Sequence, residues 1–115
     1  MITTDEIKAI VSHWARSLPY KVRLHLFGSL LKGNPNPSDI DISLEFLEIS
    51  SEEERTLIWI DNHKNWENYL SDKFGMKADL QLCEKGQNIP IYLSEASLLL
   101  YDSTEEQALR TEKSK

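Results

Sequence analysis

The chain has 115 residues, 40% of them hydrophobic and 28% charged, with a net charge of -6 and a single cysteine. This suffices for one domain with one modest core and permits no internal disulfide; no apolar run approaches a membrane span and no basic-then-apolar leader opens the chain, so a cytoplasmic protein is expected, with no membrane partner. The lysines and arginines are scattered rather than gathered into the basic stripe that gripping a nucleic-acid backbone requires, so no nucleic acid is expected as partner; an acidic chain suits a small nucleotide brought in with its cation, or a basic protein surface.

Residues 3–16 read as a helix. Thr3 and Glu6 make a capping box, and Ile7, Ile10, Val11 and Trp14 recur at helical spacing before Pro19. Val22 to Phe27 reads as the first strand, with Val22, Leu24 and Leu26 on one face and Arg23, His25 and Phe27 on the other. His25 could approach a site at the end of this strand, but a satisfied, half-buried strand histidine is the plainer reading. The strand runs into Gly28-Ser29, where glycine lets the backbone turn sharply and approach a ligand closely. Ser29 can N-cap a short helix through Leu30, Leu31 and Lys32, ended by Gly33. The free N–H groups of such a helix start suit phosphates, and Lys32 adds positive charge.

After a Pro/Asn loop, Asp39 to Leu47 reads as the second strand. Asp39 and Asp41 stand two residues apart and therefore point to one face, while Ile40 and Ile42 take the other. Two like charges held this close repel unless a cation lies between them, and a hard divalent ion with oxygen ligands answers that need. The plain alternative is that Asp39 only caps the turn at 35–38.

Ser51 and Glu54 open a long helix to about Phe74, which Asp61-Asn62-His63 could bend or split. Its apolar residues exceed one narrow stripe, so some could face a partner, although aromatic residues on such a helix more often belong to the core. Glu52, Glu53 and Glu54 favour the helix dipole, and His13 and His63 read as solvated helix residues. Met76 to Cys83, preceded by Gly75, reads as a third strand, with Cys83 a small buried hydrophobe. If this strand lies beside the second, Asp79 joins Asp39 and Asp41, and three converging carboxylates can hold two Mg²⁺ roughly 3.5–4 Å apart. Residues 84–88 read as a loop, 89–93 as a short helix or extended segment, and 97–101 as a final strand or packed helix end. Residues 102–115 read as a polar tail or short frayed helix, weakly capped by Ser103.

The pattern Leu26-Phe27-Gly28-Ser29, eight residues, Ser38-Asp39-Ile40-Asp41, and a later Ala78-Asp79-Leu80 resembles the minimal nucleotidyltransferases of the DNA polymerase beta superfamily. The resemblance spans nearly the whole chain. It implies an α/β (α+β) fold with a small mixed sheet of about four strands flanked by helices, in one domain over residues 1–101. It also implies that Gly28 and Ser29 contact nucleotide phosphates, that Asp39, Asp41 and Asp79 bind Mg²⁺, and that Asp79 activates the attacking hydroxyl. The implied reaction transfers a nucleoside monophosphate, AMP from ATP, to a hydroxyl acceptor. Members of this family occur as antitoxins beside helical HEPN toxins, modifying a toxin tyrosine, or with a helical substrate-binding subunit; in a chain this short the acceptor is expected to be presented by such a protein partner or to bind an open cleft. Many members carry a basic residue directly after Gly-Ser, where this chain has Leu30-Leu31. That departure keeps open a second reading, a subunit that binds its partner without turnover, and a third is a plain α/β domain with an accidental motif.

Overall fold

The computed structural model describes residues 2–28, 39–83 and 97–104. The expectations for Ser29, Lys32 and the short helix between them, for residues 84–93 and for the chain after Thr104 lie outside the described residues. In chain order the elements are α1 (Thr4–Arg16), β1 (Val22–Phe27), β2 (Asp39–Phe46), α2 (Glu52–Phe74), β3 (Lys77–Cys83) and β4 (Ser97–Asp102).

Both helices start as their caps dictate. Thr3 Oγ1 accepts the Glu6 N–H at 3.1 Å while Glu6 accepts the Thr3 N–H at 3.2 Å, satisfying two donors that a helix start leaves without partners. Ser51 Oγ accepts the Glu54 N–H at 3.2 Å. α2 ends at Gly75, whose φ of 73° is the left-handed conformation that closes a helix cheaply only with glycine. α2 runs unbroken through residues 61–63. Asn62 donates its side-chain amide back to the Ile58 carbonyl at 2.8 Å, and His63 stacks on Trp59 with ring centroids 5.3 Å apart. Both bonds run one turn back along the helix, so these residues reinforce it. His63 is therefore half-buried rather than solvated, with Nδ1 2.9 Å from the Trp59 carbonyl; His13 is exposed as expected.

The four strands form one mixed sheet in the order β3-β2-β1-β4. β1 pairs antiparallel with both β2 and β4, whereas β2 and β3 are parallel, joined by the long crossover through α2. α1 lies on β4, α2 lies on β3, and the helices touch each other. Strand alternation assigns the faces. Val22, Leu24 and Leu26 of β1 and Ile40, Ile42, Leu44 and Phe46 of β2 are fully buried in one core with Ile7, Val11, Trp14, Trp66, Leu70 and Phe74 of the helices. Each such side chain contributes about 1.5–3 kcal/mol by leaving water. Trp66 meets Trp14, Trp59 and Tyr20 edge-on at 5.9, 6.5 and 6.4 Å, so Trp66 is a core residue and the half-buried Trp59 packs against it. Leu57, Ile60 and Tyr69 point outward instead.

The opposite face carries Asp39, Asp41, Ser43 and Glu45 of β2 beside Phe27, His25 and Arg23 of β1 and Asp79, Gln81 and Cys83 of β3. Cys83 is thus half-exposed rather than buried, because it is in phase with Asp79 and not with Leu80 and Leu82. At the other end of the chain, Asp102 belongs to β4, and the Ser103 hydroxyl accepts the Val22 N–H at 2.9 Å and donates to the Val22 carbonyl at 3.1 Å. These two residues, read from sequence as the start of a polar tail, close the sheet at the base of β1, and Ser103 is buried.

Candidate active site

Register brings the carboxylates together. Asp41 and Asp79 are direct partners across the parallel β2–β3 ladder, and Asp39 stands one pleat earlier on the same face. Each of the three half-buried aspartates offers an oxygen within 4.8 Å of the others. Among the described residues, theirs is the one group of three or more potential metal-ligating side chains so arranged. The arrangement is costly on its own. The Asp41 carboxyl is pushed above its ordinary range first by burial, then by the charges of Asp79 and Asp39, and by a hydrogen bond with Asp79. An all-oxygen donor set with an electrostatic deficit of this sign fits a hard divalent cation such as Mg²⁺.

Gly28 is placed against this group. Phe27 pairs with Asp41, so the turn that follows runs alongside the Asp41 side chain. Gly28 has φ 88°, and a Cβ built there would overlap the Asp41 carboxylate. Glycine is needed twice over: for the backbone conformation and for the room Asp41 occupies. Lys77, which the sequence reading passed over, is the Cα partner of Asp39. The signal was present, since Lys77 and Asp79 share the two-residue spacing that made Asp39 and Asp41 conspicuous.

His25 lies one row away. Its Cα partner on β2 is Ser43, not Asp41. Burial, and then the Arg23 charge, lower its pKa, against opposing pulls from Glu45 and Asp102. It therefore belongs electrostatically to the Arg23 cluster at the base of the sheet rather than to the aspartates. There Arg23 donates Nε to Asp102 at 2.9 Å and Nη1 to Glu45 at 3.2 Å, linking β4, β1 and β2. A cavity of about 540 Å³ also lies at this end, lined by Arg16, Tyr20, Lys21, Glu48, Tyr101 and Ser103 among others. None of the three aspartates lines it, so the concavity and the carboxylate chemistry are separate features.

No protein-family model matches the chain, and no curated protein matches it. Solved structures do. A chain of a toxin–antitoxin crystal structure with AMP-PNP superposes with a TM-score of 0.53 at 18% identity, covering 91% of this chain and 79% of its own. A chain from Shewanella oneidensis gives 0.50 at 15% identity, covering 96% and 82%. A chain of the tri-AMPylated Shewanella oneidensis HEPN toxin in complex with MNT antitoxin gives 0.51 at 16% identity, covering 94% and 79%. At such identities the likeness speaks for the fold alone: this chain shares the small mixed α/β fold of these toxin–antitoxin chains.

Proposed function

We propose that the chain is a metal-dependent nucleotidyltransferase that moves AMP from ATP to a hydroxyl of a partner protein, a tyrosine of a HEPN-type toxin, and so acts as an antitoxin. The observation that carries this reading is the meeting of Asp39, Asp41 and Asp79 beside the Gly28 turn. The likeness to toxin–antitoxin chains, one solved with AMP-PNP and one with an AMPylated toxin, supports the nucleotide, the reaction and the kind of partner.

Asp39, Asp41 and Asp79 would hold Mg²⁺. When bound, divalent cations supply acidity to the acceptor hydroxyl and neutralise the departing pyrophosphate. The chain's own residues do the rest. Asp79 receives the acceptor's proton as its oxygen bonds to the α-phosphorus; the bond from that phosphorus to the bridging oxygen breaks, and the electron pair leaves with pyrophosphate. Gly28 keeps the turn free of a side chain where phosphates would lie, with Ser29 and Lys32 the expected phosphate contacts that follow it.

Labelled ATP, Mg²⁺ and the HEPN-type partner, mixed with the purified chain, test the reading. Label should pass to the partner with the wild type and not with Asp39→Ala or Asp41→Ala. Transfer that survives both substitutions removes the site. The alternative, a subunit that acts by complex formation alone, draws on Leu30-Leu31 standing where a basic residue is common; a stable complex with no label transfer would establish it.

A further inference from the structure

The third aspartate is carried by an edge strand. β3 pairs with β2 on one side only, so the N–H groups of Ala78 and Leu80, on either side of Asp79, face away from the sheet. Both are met by side chains of α2. Ser71 Oγ accepts the Ala78 N–H at 2.9 Å, and Glu67 Oε2 accepts the Leu80 N–H at 2.9 Å. The spacings match. Four residues of helix rise about 6 Å and two residues of strand about 6.6 Å, so Glu67 and Ser71, one turn apart on α2, reach alternate amides of an antiparallel strand. A carboxylate accepting from a backbone amide makes one of the stronger protein hydrogen bonds. Asp79 is consequently held from both sides, by the β2 ladder within the sheet and by α2 outside it.

We propose that Glu67 and Ser71 are positioning residues: they clamp the peptide groups around Asp79 so that its carboxylate meets Asp41, and thereby set the affinity of the three-aspartate group for a divalent cation. This rests on the metal-binding reading of that group. Neither residue belongs to the three-aspartate group itself. Partners of this kind, which hold a ligand in place, change metal affinity by about 10–100-fold when removed. A side chain that only plugs a sheet edge would change stability and leave affinity alone.

Mn²⁺ binding to the full chain, followed by electron paramagnetic resonance, separates the two roles, with melting temperature and amide exchange at Ala78 and Leu80 measured on the same samples. Glu67→Ala should weaken Mn²⁺ binding about tenfold and speed exchange at Leu80. Glu67→Gln retains an oxygen for the Leu80 N–H and should recover most of the affinity, although it lacks the charge. Ser71→Ala should act in the same direction, with faster exchange at Ala78, and it decides the matter if Glu67→Ala does not fold. The proposal fails if folded variants lose the amide protection yet bind Mn²⁺ as tightly as wild type, or if Glu67→Gln is as weak as Glu67→Ala. Wild-type protein that binds no Mn²⁺ would instead overturn the metal reading beneath it, a result the variants alone cannot mimic.

Discussion

Two groups of carboxylates share one face of the same sheet and are built on opposite principles. At the base, Glu45 and Asp102 flank Arg23, which bonds to both, and the Arg23 pKa rises chiefly through its hydrogen bond to Asp102. At the other end, Asp39, Asp41 and Asp79 converge, and burial, then the charges of Asp79 and Asp39, raise the Asp41 pKa. The first group is an ion-pair network complete within the chain and ties three strands together. The second is a concentration of like charge, whose repulsion falls when one carboxyl holds a proton or when a cation binds. One face of the sheet thus balances its charge at the base and concentrates like charge at the tip, which is the contrast on which the proposed ligand-binding role of the tip rests.

The contrast can be broken by substitution. The largest effect is expected for Asp41→Ala, which should lower AMP transfer to the partner on the order of 10³-fold, while Arg23→Ala leaves turnover of the folded protein within about threefold of wild type; label-transfer rates check both. Gly28→Ala comes next. Alanine must adopt a left-handed backbone conformation and also displace the Asp41 carboxylate, so chemical denaturation should show a loss of about 2 kcal/mol or more, with weaker Mn²⁺ binding. An opposed pair of stability changes follows. In metal-free buffer Asp41→Asn should raise the melting temperature, and excess Mg²⁺ should reverse the ranking by stabilising wild type alone. Asp102→Asn should lower it whether or not Mg²⁺ is present, by at most about 1 kcal/mol, since the Arg23 partnership is partly exposed. Equal responses of the two variants would erase the distinction drawn here.

The smallest effect is the most diagnostic. Asp41 has a folded-state pKa above its ordinary 3.8, so the folded chain holds this proton more tightly than the unfolded one. Its contribution to stability is present below pH 3.8 and is lost as pH rises through the folded-state value. His25 has the reverse sign: its pKa lies below 6.5, so stability from this group is complete above pH 6.5 and is lost as pH falls toward the folded-state value. Mg²⁺ should change the slope of the stability profile within the aspartate window and leave a higher plateau above it, and His25→Gln should flatten only the histidine window.

Much of the fold was legible because local rules spoke clearly. Thr3 with Glu6 marked one helix start, Ser51 another, and Gly75 the end of α2. Alternation sorted β1 and β2 into faces and put Asp39 and Asp41 together. The same rule was available for β3 and was not carried to its end: in phase with Asp79, Cys83 looks away from the core and Lys77 stands opposite Asp39. Other misreadings concern partners remote in sequence. Nothing near Ser103 announces that its hydroxyl will bridge the Val22 backbone, whereas His25 is the half-buried strand histidine that alternation suggested. Glu67 reads as an ordinary polar helix residue until the edge of β3 is laid against it.

The amino-acid order by itself determined α1, β1, β2 and α2, the buried faces of β1 and β2 and the placing of Asp39 with Asp41 on one face, because caps and two-residue alternation act over a handful of bonds. Only the tertiary structure decided that β3 lies parallel to β2 in the register that sets Asp79 opposite Asp41, and that Gly28 leaves room for their meeting. Strand order and register depend on burying both helices against a single face, a condition satisfied by the whole chain at once and by no segment alone.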